Sequence, residues 1–318
     1  MATPGNQISS SYDALLSTTL RNYSSKLTDN IFKKTPILYW LNENGRKRKE
    51  DGGTYIVEPL LYGKNTLTSY QGYDTLNTQA VEGITSAEFV WKHFQVPISI
   101  SRPEERKNSG KHKLINLLSA KVKQSEKTMR DGLSTQIYAD GTANGGLDLT
   151  GLAAMVTAGT SDVYGNITRS AANSWWQSYV SDSATALTYD AMQTAYLTTA
   201  DGNDTADLIA TTQILYQKYW SLLQPQQRYT DTKTLDAGFQ NLTFNGATMM
   251  LDKYCTATYM YFLNSEYINF VVDTQTDMLT TDFRIPTNQD AKVAHILLYA
   301  NLTCNNSKVQ GVLKSRTA

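Results

Sequence analysis

The side chains best suited to acid–base, thiol or metal chemistry near neutral pH are three histidines and two cysteines. Nucleophilic catalysis needs a base within hydrogen-bond reach of the nucleophile. His93 and His295 alternate with apolar residues in strand-like runs, and His112 sits among lysines at a helix start, so each reads as a structural residue. Cys255 and Cys304 lie far apart with no second pair, which does not make a zinc site. The loops 140–148 and 201–204 hold Asp, Asn and Gly, but neither has the Glu and spacing of a helix-loop-helix calcium site, and turn chemistry accounts for both. Glu104 and Glu105 lie beside Arg102 and Arg106, the pattern of a solvated, salt-bridged turn. A Gly-x-Ser-x-Gly elbow, a Walker phosphate loop, a His-Glu-x-x-His helix and a dinucleotide fingerprint are all missing. The sequence offers no catalytic constellation, no metal site and no cofactor site.

Composition narrows the remaining classes. The 318 residues carry 29 Lys plus Arg against 29 Asp plus Glu, so the chain as a whole is not a polycation built to hold nucleic acid. Only local patches serve that role: Arg46 to Lys49 in one turn-rich segment, and lysines along one helix. At 41% hydrophobic the chain can bury a core, and its length suits one large domain or two ordinary ones. Twenty Tyr and five Trp suit interfaces, where a ring is buried while its polar edge stays wet. Two cysteines fit a reducing compartment. Residues 1–11 are polar, so no signal peptide is expected, and no apolar run is long enough to span a membrane.

The element around which the rest is arranged is predicted at residues 111–138. Leu114, Leu118, Val122, Met129, Leu133 and Ile137 mark one face of a helix, and Lys113, Lys121, Lys123, Glu126, Lys127 and Arg130 its polar side. Asn108 or Ser109 is placed to cap it and Asp140-Gly141 ends it. Before it, residues 1–11 read as a mobile tail, followed by short helical stretches stopped by Thr35-Pro36 and an aromatic-apolar run at 37–41. Strands at 54–61 and 87–99 flank a polar connection at 62–83, giving an extended hairpin too poor in apolar residues to own a core. After the helix the pattern predicts a helix capped by Thr188, a buried strand at 207–210 and a helix starting at Thr211 or Thr212 and stopped by Pro225. A hairpin turning at Asn245-Gly246 follows, then strands at 256–263, 267–272 and 292–303, and a polar tail beyond Asn305.

In order and spacing these parts resemble a tailed-bacteriophage major capsid protein of the Hong Kong 97-type fold, over about residues 18–311. The resemblance is carried by PILYWL (36–41), GGTYIVEPLLYGKN (52–65), SYQGYDTL (69–76), FVWKHFQVPISIS (89–101), the long helix, GLAAMV (151–156) and YGNITRS (164–170) with Trp175-Trp176. DLIATTQILYQKY (207–219), GATMMLD (246–252), YFLN (261–264) and LTCNN (302–306) complete it.

The resemblance implies an α+β fold with an N-terminal arm (1–45), an extended β-hairpin loop (46–95) and a peripheral domain with the spine helix (96–160). An axial domain (161–270) follows, then a return to the peripheral domain with a C-terminal tail (271–318). It implies a structural, non-enzymatic subunit that self-assembles as pentamers and hexamers into an icosahedral virion shell around double-stranded DNA, formed in the host cytoplasm. Its partners would be a scaffolding protein, a portal and decoration proteins, with no cofactor and no membrane. Lys64, Asn65, Tyr70 and Tyr73 of the extended loop would meet a neighbouring subunit, and Lys121, Lys123 and Lys127 would lie near DNA on the inner face. No long leading segment precedes the arm, which implies a processed chain or a separate scaffolding protein. No Lys–Asn crosslink is assigned. Two other classes stay open: an encapsulin-like compartment enclosing protein cargo, separated by what the particles contain, and an enzyme of unrecognised type, separated by a pocket with perturbed titrating groups.

Overall fold

The computed structural model describes residues 36–76, 78–107, 111–227, 242–287 and 289–317. The tail and helices expected before Pro36 and the cap expected at Asn108 or Ser109 lie outside them.

Helix α1 (Pro36–Glu43) opens on proline, whose missing N–H is harmless at a first helical position. The proline read as a stop therefore starts an element, and Ile37, Leu38 and Leu41 bury completely in the chain's own core. The basic segment that follows forms strand β1 (Lys47–Glu50), where a turn was expected. Strands β2 (Tyr55–Leu61) and β3 (Ile84–Val90) make the predicted hairpin. The return strand is interrupted at Trp91. Beyond it β4 (Lys92–Ser101) leaves the hairpin for another sheet, followed by the short helix α2 (Arg102–Lys107).

The long helix is present as α3 (Lys111–Ile137), 27 residues without a break and roughly 40 Å long. Val122, Met129, Leu133 and Ile137 are buried, and the helix lies against β4, where Ser125 Oγ donates to the Pro97 carbonyl at 3.2 Å. Gly132 has open space where a side chain would stand, so it interrupts no contact.

Two sheets divide the body. In the first, β12 (Ile268–Asp273) and β14 (Ala291–Cys304) are central. β1 runs parallel to β12, β13 (Leu279–Thr280) pairs with β14, and β4 lies antiparallel along β14 over ten residue pairs. Ala294, Ile296, Leu298 and Ala300 of β14 point inward at the period of two that a half-buried strand requires.

The second sheet has six strands in the order β7 (Tyr179–Asp182), β15 (Gly311–Lys314), β11 (Met260–Leu263), β8 (Leu208–Thr211), β10 (Ala247–Leu251) and β9 (Thr243–Phe244). All four β8 residues are buried, as its apolar run predicts. Helix α4 (Tyr189–Thr199) starts where the Thr188 hydroxyl accepts from the Ala191 N–H at 3.2 Å. Helix α5 (Gln213–Gln227) runs past Pro225; a proline in the last turn removes only a bond or two from the ladder. The turn joining β9 to β10 has Asn245 at φ +47° and Gly246 at φ +90°, the left-handed pair that a tight hairpin needs. Strand β11 starts later than expected because Thr258 takes φ +65° and ends the turn before it.

The chain end differs most from the sequence reading. The polar stretch after Asn305 is no tail: β15 lies between β11 and β7, with Val312 and Leu313 fully buried. A strand of four residues among Lys, Ser, Gln and Asn shows too little alternation to be read from sequence.

Candidate assembly surface

Strand β2 alternates strictly. Ile56, Glu58 and Leu60 are buried, while Tyr55, Val57, Pro59 and Leu61 face out. Opposite them on β3, Ala87 and Phe89 face inward and Ile84 and Val90 outward. The outer face is therefore nearly as apolar as the inner one, and the described residues leave it half to four-fifths exposed. A strand that is apolar on both faces is one built to be covered on both.

The inner face roots the hairpin on its own body. Phe89 meets Tyr164 edge to face at 5.1 Å, and Tyr164 belongs to the small hairpin β5 (Val163–Tyr164) and β6 (Ile167–Thr168). The Glu88 N–H donates to the Gly165 carbonyl at 3.0 Å. Gly165 sits at φ +59°, where an added side chain would strike Ala87 and Phe89. Trp176, fully buried, donates through its indole nitrogen to the Tyr164 carbonyl at 3.0 Å. Trp175 stacks on Tyr62 at 4.9 Å.

Beyond Tyr62 the connection narrows to a neck. The Tyr62 and Gly63 N–H groups both donate to the Gly83 carbonyl, at 2.8 and 3.2 Å, and a side chain on Gly63 would lie 2.7 Å from the Gly83 Cα. Two glycines let the backbones touch there. Past the neck the loop has local bonds, such as the Gln71 N–H to Asp74 at 2.8 Å, and no core. Lys64, Asn65, Tyr70 and Tyr73 are all exposed, and Leu67 and Tyr73 are essentially bare, at 97% and 107% of full exposure. The hairpin was expected to lie off its own body. The structure divides that expectation at the neck, with a base packed on the chain's own aromatics and a tip whose described residues are exposed.

The cations sort differently from the sequence reading. Lys47 and Lys49 reach Asp277 at 2.8 and 3.4 Å. Arg48 grips Glu58 with both terminal nitrogens, at 3.1 and 2.8 Å, and Glu50 at 2.6 Å. The basic segment thus pairs within its own chain. On α3, Lys121 lies 3.6 Å from Glu104, whereas Lys123 and Lys127 are exposed. Arg130 pairs with Asp131 at 3.3 Å. Lys253, which no sequence pattern singles out, is exposed near Arg130, its ammonium 4.4 Å over the Tyr254 ring. Only tertiary placement brings it to the helix.

Two polar side-chain contacts tie the spine to the second sheet, the first buried and the second half-buried. Tyr138 donates to Asp252 at 2.9 Å, and Tyr254 donates to Asp131 at 2.6 Å. Burial holds the Asp252 carboxyl above the usual carboxylate range, and the Tyr254 hydroxyl holds Asp131 below it. A third, the fully buried guanidinium of Arg169, donates to the Met155 and Thr157 carbonyls and to Ser307 Oγ, the last at 2.7 Å, and stacks over Tyr164.

The residues considered for chemistry are spent on packing. His93 meets Tyr299 at 4.3 Å across β4 and β14, and His295 Nδ1 lies 2.8 Å from Gln95. The His112 side chain lies outside what is described. Cys255 and Cys304 are buried free thiols, and burial pushes the Cys304 thiol up to about 12 and Cys255 further still. Among the described residues no three His, Cys, Asp or Glu side chains are grouped to hold a metal ion, and no helix is long and apolar enough to cross a membrane.

Neither protein-family models nor curated proteins give a match to the sequence. Solved structures do. The chain superposes on a capsid chain of cyanophage A-1(L) with a TM-score of 0.66 at 16% identity, covering 89% of this chain and 93% of that one. A capsid chain of a native GTA particle gives 0.60 at 8%, covering 87% and 90%. The SrpI encapsulin of Synechococcus elongatus gives 0.57 at 10%, covering 87% of each. The fold is the α+β Hong Kong 97 type, as the order of parts implied.

Proposed function

We propose that this chain is a major capsid protein that assembles itself, as pentamers and hexamers, into an icosahedral shell enclosing double-stranded DNA. The observation that carries the reading is the hairpin. On a fold found in capsids and an encapsulin, it is firmly rooted at its base, apolar on its outer face and bare at its tip. A lone subunit gains nothing from such an arm, whereas a neighbour covering it would remove several apolar side chains from water at ~1.5–3 kcal/mol each when fully buried. Lys64, Asn65, Tyr70 and Tyr73 would make the contact. The shell subunit acts as a wall and carries no catalysis of its own. It belongs to the virion, assembled in the host cytoplasm with a scaffolding protein, a portal and decoration proteins.

Toward DNA the wall would offer a sparse set of cations. Lys123 and Lys127 are free for this and Lys253 joins them, while Lys121 is partly held by Glu104. Such a surface would bind phosphate weakly and lose it with salt. The encapsulin likeness supports a second reading, a cellular shell around protein cargo. Purified particles decide between them. Nuclease-protected double-stranded DNA is expected inside; particles filled with a co-purifying protein and no DNA would favour the second reading.

A further inference from the structure

Glu58 is the one charged residue on the buried face of β2, at a position where alternation calls for an apolar side chain. It is 2% exposed, so its carboxylate must be fully partnered. Its partners come from two strands of the first sheet. Arg48 of β1 binds both carboxylate oxygens, at 2.8 and 3.1 Å, and the Thr303 hydroxyl of β14 donates at 2.7 Å. The rest of the inner face, Ile56, Leu60, Ala87 and Phe89, makes non-directional contacts that permit sliding and tilting. Neutral hydrogen bonds also hold the hairpin, from the Glu88 N–H to the Gly165 carbonyl at 3.0 Å and from the Asn301 side-chain amide to the Val90 carbonyl at 2.8 Å; the Glu58 fork is the charged contact, and a bidentate guanidinium–carboxylate pair fixes an angle as well as a distance.

Arg48 is also shared. The nitrogen that binds Glu58 at 2.8 Å lies 2.6 Å from Glu50, which is on the same strand, two residues on, and reaches solvent. A guanidinium between two carboxylates has a second resting place when one of them leaves. We propose that Glu58, Arg48 and Glu50 form a latch that sets the angle of the β2–β3 hairpin on the body. In the engaged position Arg48 bridges both carboxylates. In the released position it stays with Glu50 while Glu58 swings out to water with the hairpin. An arm that must fit neighbours around both five-fold and six-fold clusters needs two such positions. That consequence rests on the assembly reading above; the latch itself does not.

The test reads the hairpin angle inside one chain. Spin labels at Ile84→Cys, at the far end of β3, and Thr128→Cys, exposed on α3, report one intrachain distance. Cys255 and Cys304 are buried and escape labelling. Labelled chains are diluted into unlabelled ones, which removes distances between chains, and the sample is held at a concentration where sedimentation shows monomer, so neighbours do not set the angle. The unsubstituted latch should give one dominant distance, and Glu58→Gln a second population of comparable size. Arg48→Lys, which replaces the fork by a point charge, should give a mixture of the two. Adding Glu50→Gln to Arg48→Lys should move the mixture back toward the engaged distance, because the competing carboxylate is gone. A merely structural Glu58 predicts no such reversal. The latch is overturned if Glu58→Gln keeps the single distance, or if Glu50→Gln leaves the Arg48→Lys mixture unchanged or shifts it toward release. Should Glu58→Gln not fold, the Arg48→Lys and Glu50→Gln comparison decides alone. Shell formation is scored separately, so a failed latch and a failed capsid reading give different results.

Discussion

Among the described residues Tyr70 and Tyr73 hold large rings mostly in water, at 66% and 107% of full exposure. Replacing both with Ser should leave the thermal unfolding of the subunit within about 0.5 kcal/mol, because exposed side chains contribute little to a fold they do not contact. The same double variant should lose higher-order association in sedimentation. Asp252 shows the opposite case, a side chain whose cost lies inside the fold. Its folded pKa is raised by burial, so the stabilising contribution of its neutral form is complete below the unfolded value of about 3.9 and is lost as pH rises through the folded pKa. Asp252→Asn keeps an acceptor for Tyr138 and removes the charge. Its stability relative to the unsubstituted chain should therefore improve as pH is raised from about 4 toward neutrality, measured by denaturant unfolding at a series of pH values. A flat difference would mean that the carboxylate is not the titrating group.

At the scale of elements, the Gly63–Gly83 neck separates a rooted base from a free loop. Deleting residues 66–76 should open no core cavity, since the removed side chains are exposed, and should give a folded subunit that no longer builds shells. Leu133→Ala on the buried face of α3 should instead cost about 2–5 kcal/mol whether or not shells form, read by denaturant titration. The contrast marks what sequence makes legible. The α3 periodicity, the buried β8 run, the Thr188 cap and the Asn245-Gly246 turn are local patterns, and each stands where the residues place it. What sequence hides depends on distant partners. The break at Trp91 comes from β4 joining β14. The strand status of β15 comes from β11 and β7. The basic segment becomes a strand because β12 offers an edge and Asp277 and Glu58 offer charge. In the site, the exposure of Tyr70 and Tyr73 follows from a loop poor in aliphatics, whereas the roles of Glu58 and Lys253 needed the tertiary fold.

For the whole molecule, the fold sets two packed sheets and a long helix beneath a hairpin whose apolar outer side the described residues leave exposed. Two cores of residues buried within the one chain support it, so the subunit should fold before it associates, and assembly should depend on concentration. The arm concentrates exposed apolar surface in one place, the arrangement expected of a recurring intersubunit contact. The most direct measurement is electron microscopy of the purified full-length chain after concentration, with sedimentation of the same sample. The account predicts closed shells built of five- and six-fold clusters, with the residue 62–83 loop of each subunit resting on its neighbour. A species that stays monomeric at every concentration, or shells in which that loop touches only solvent, would contradict it.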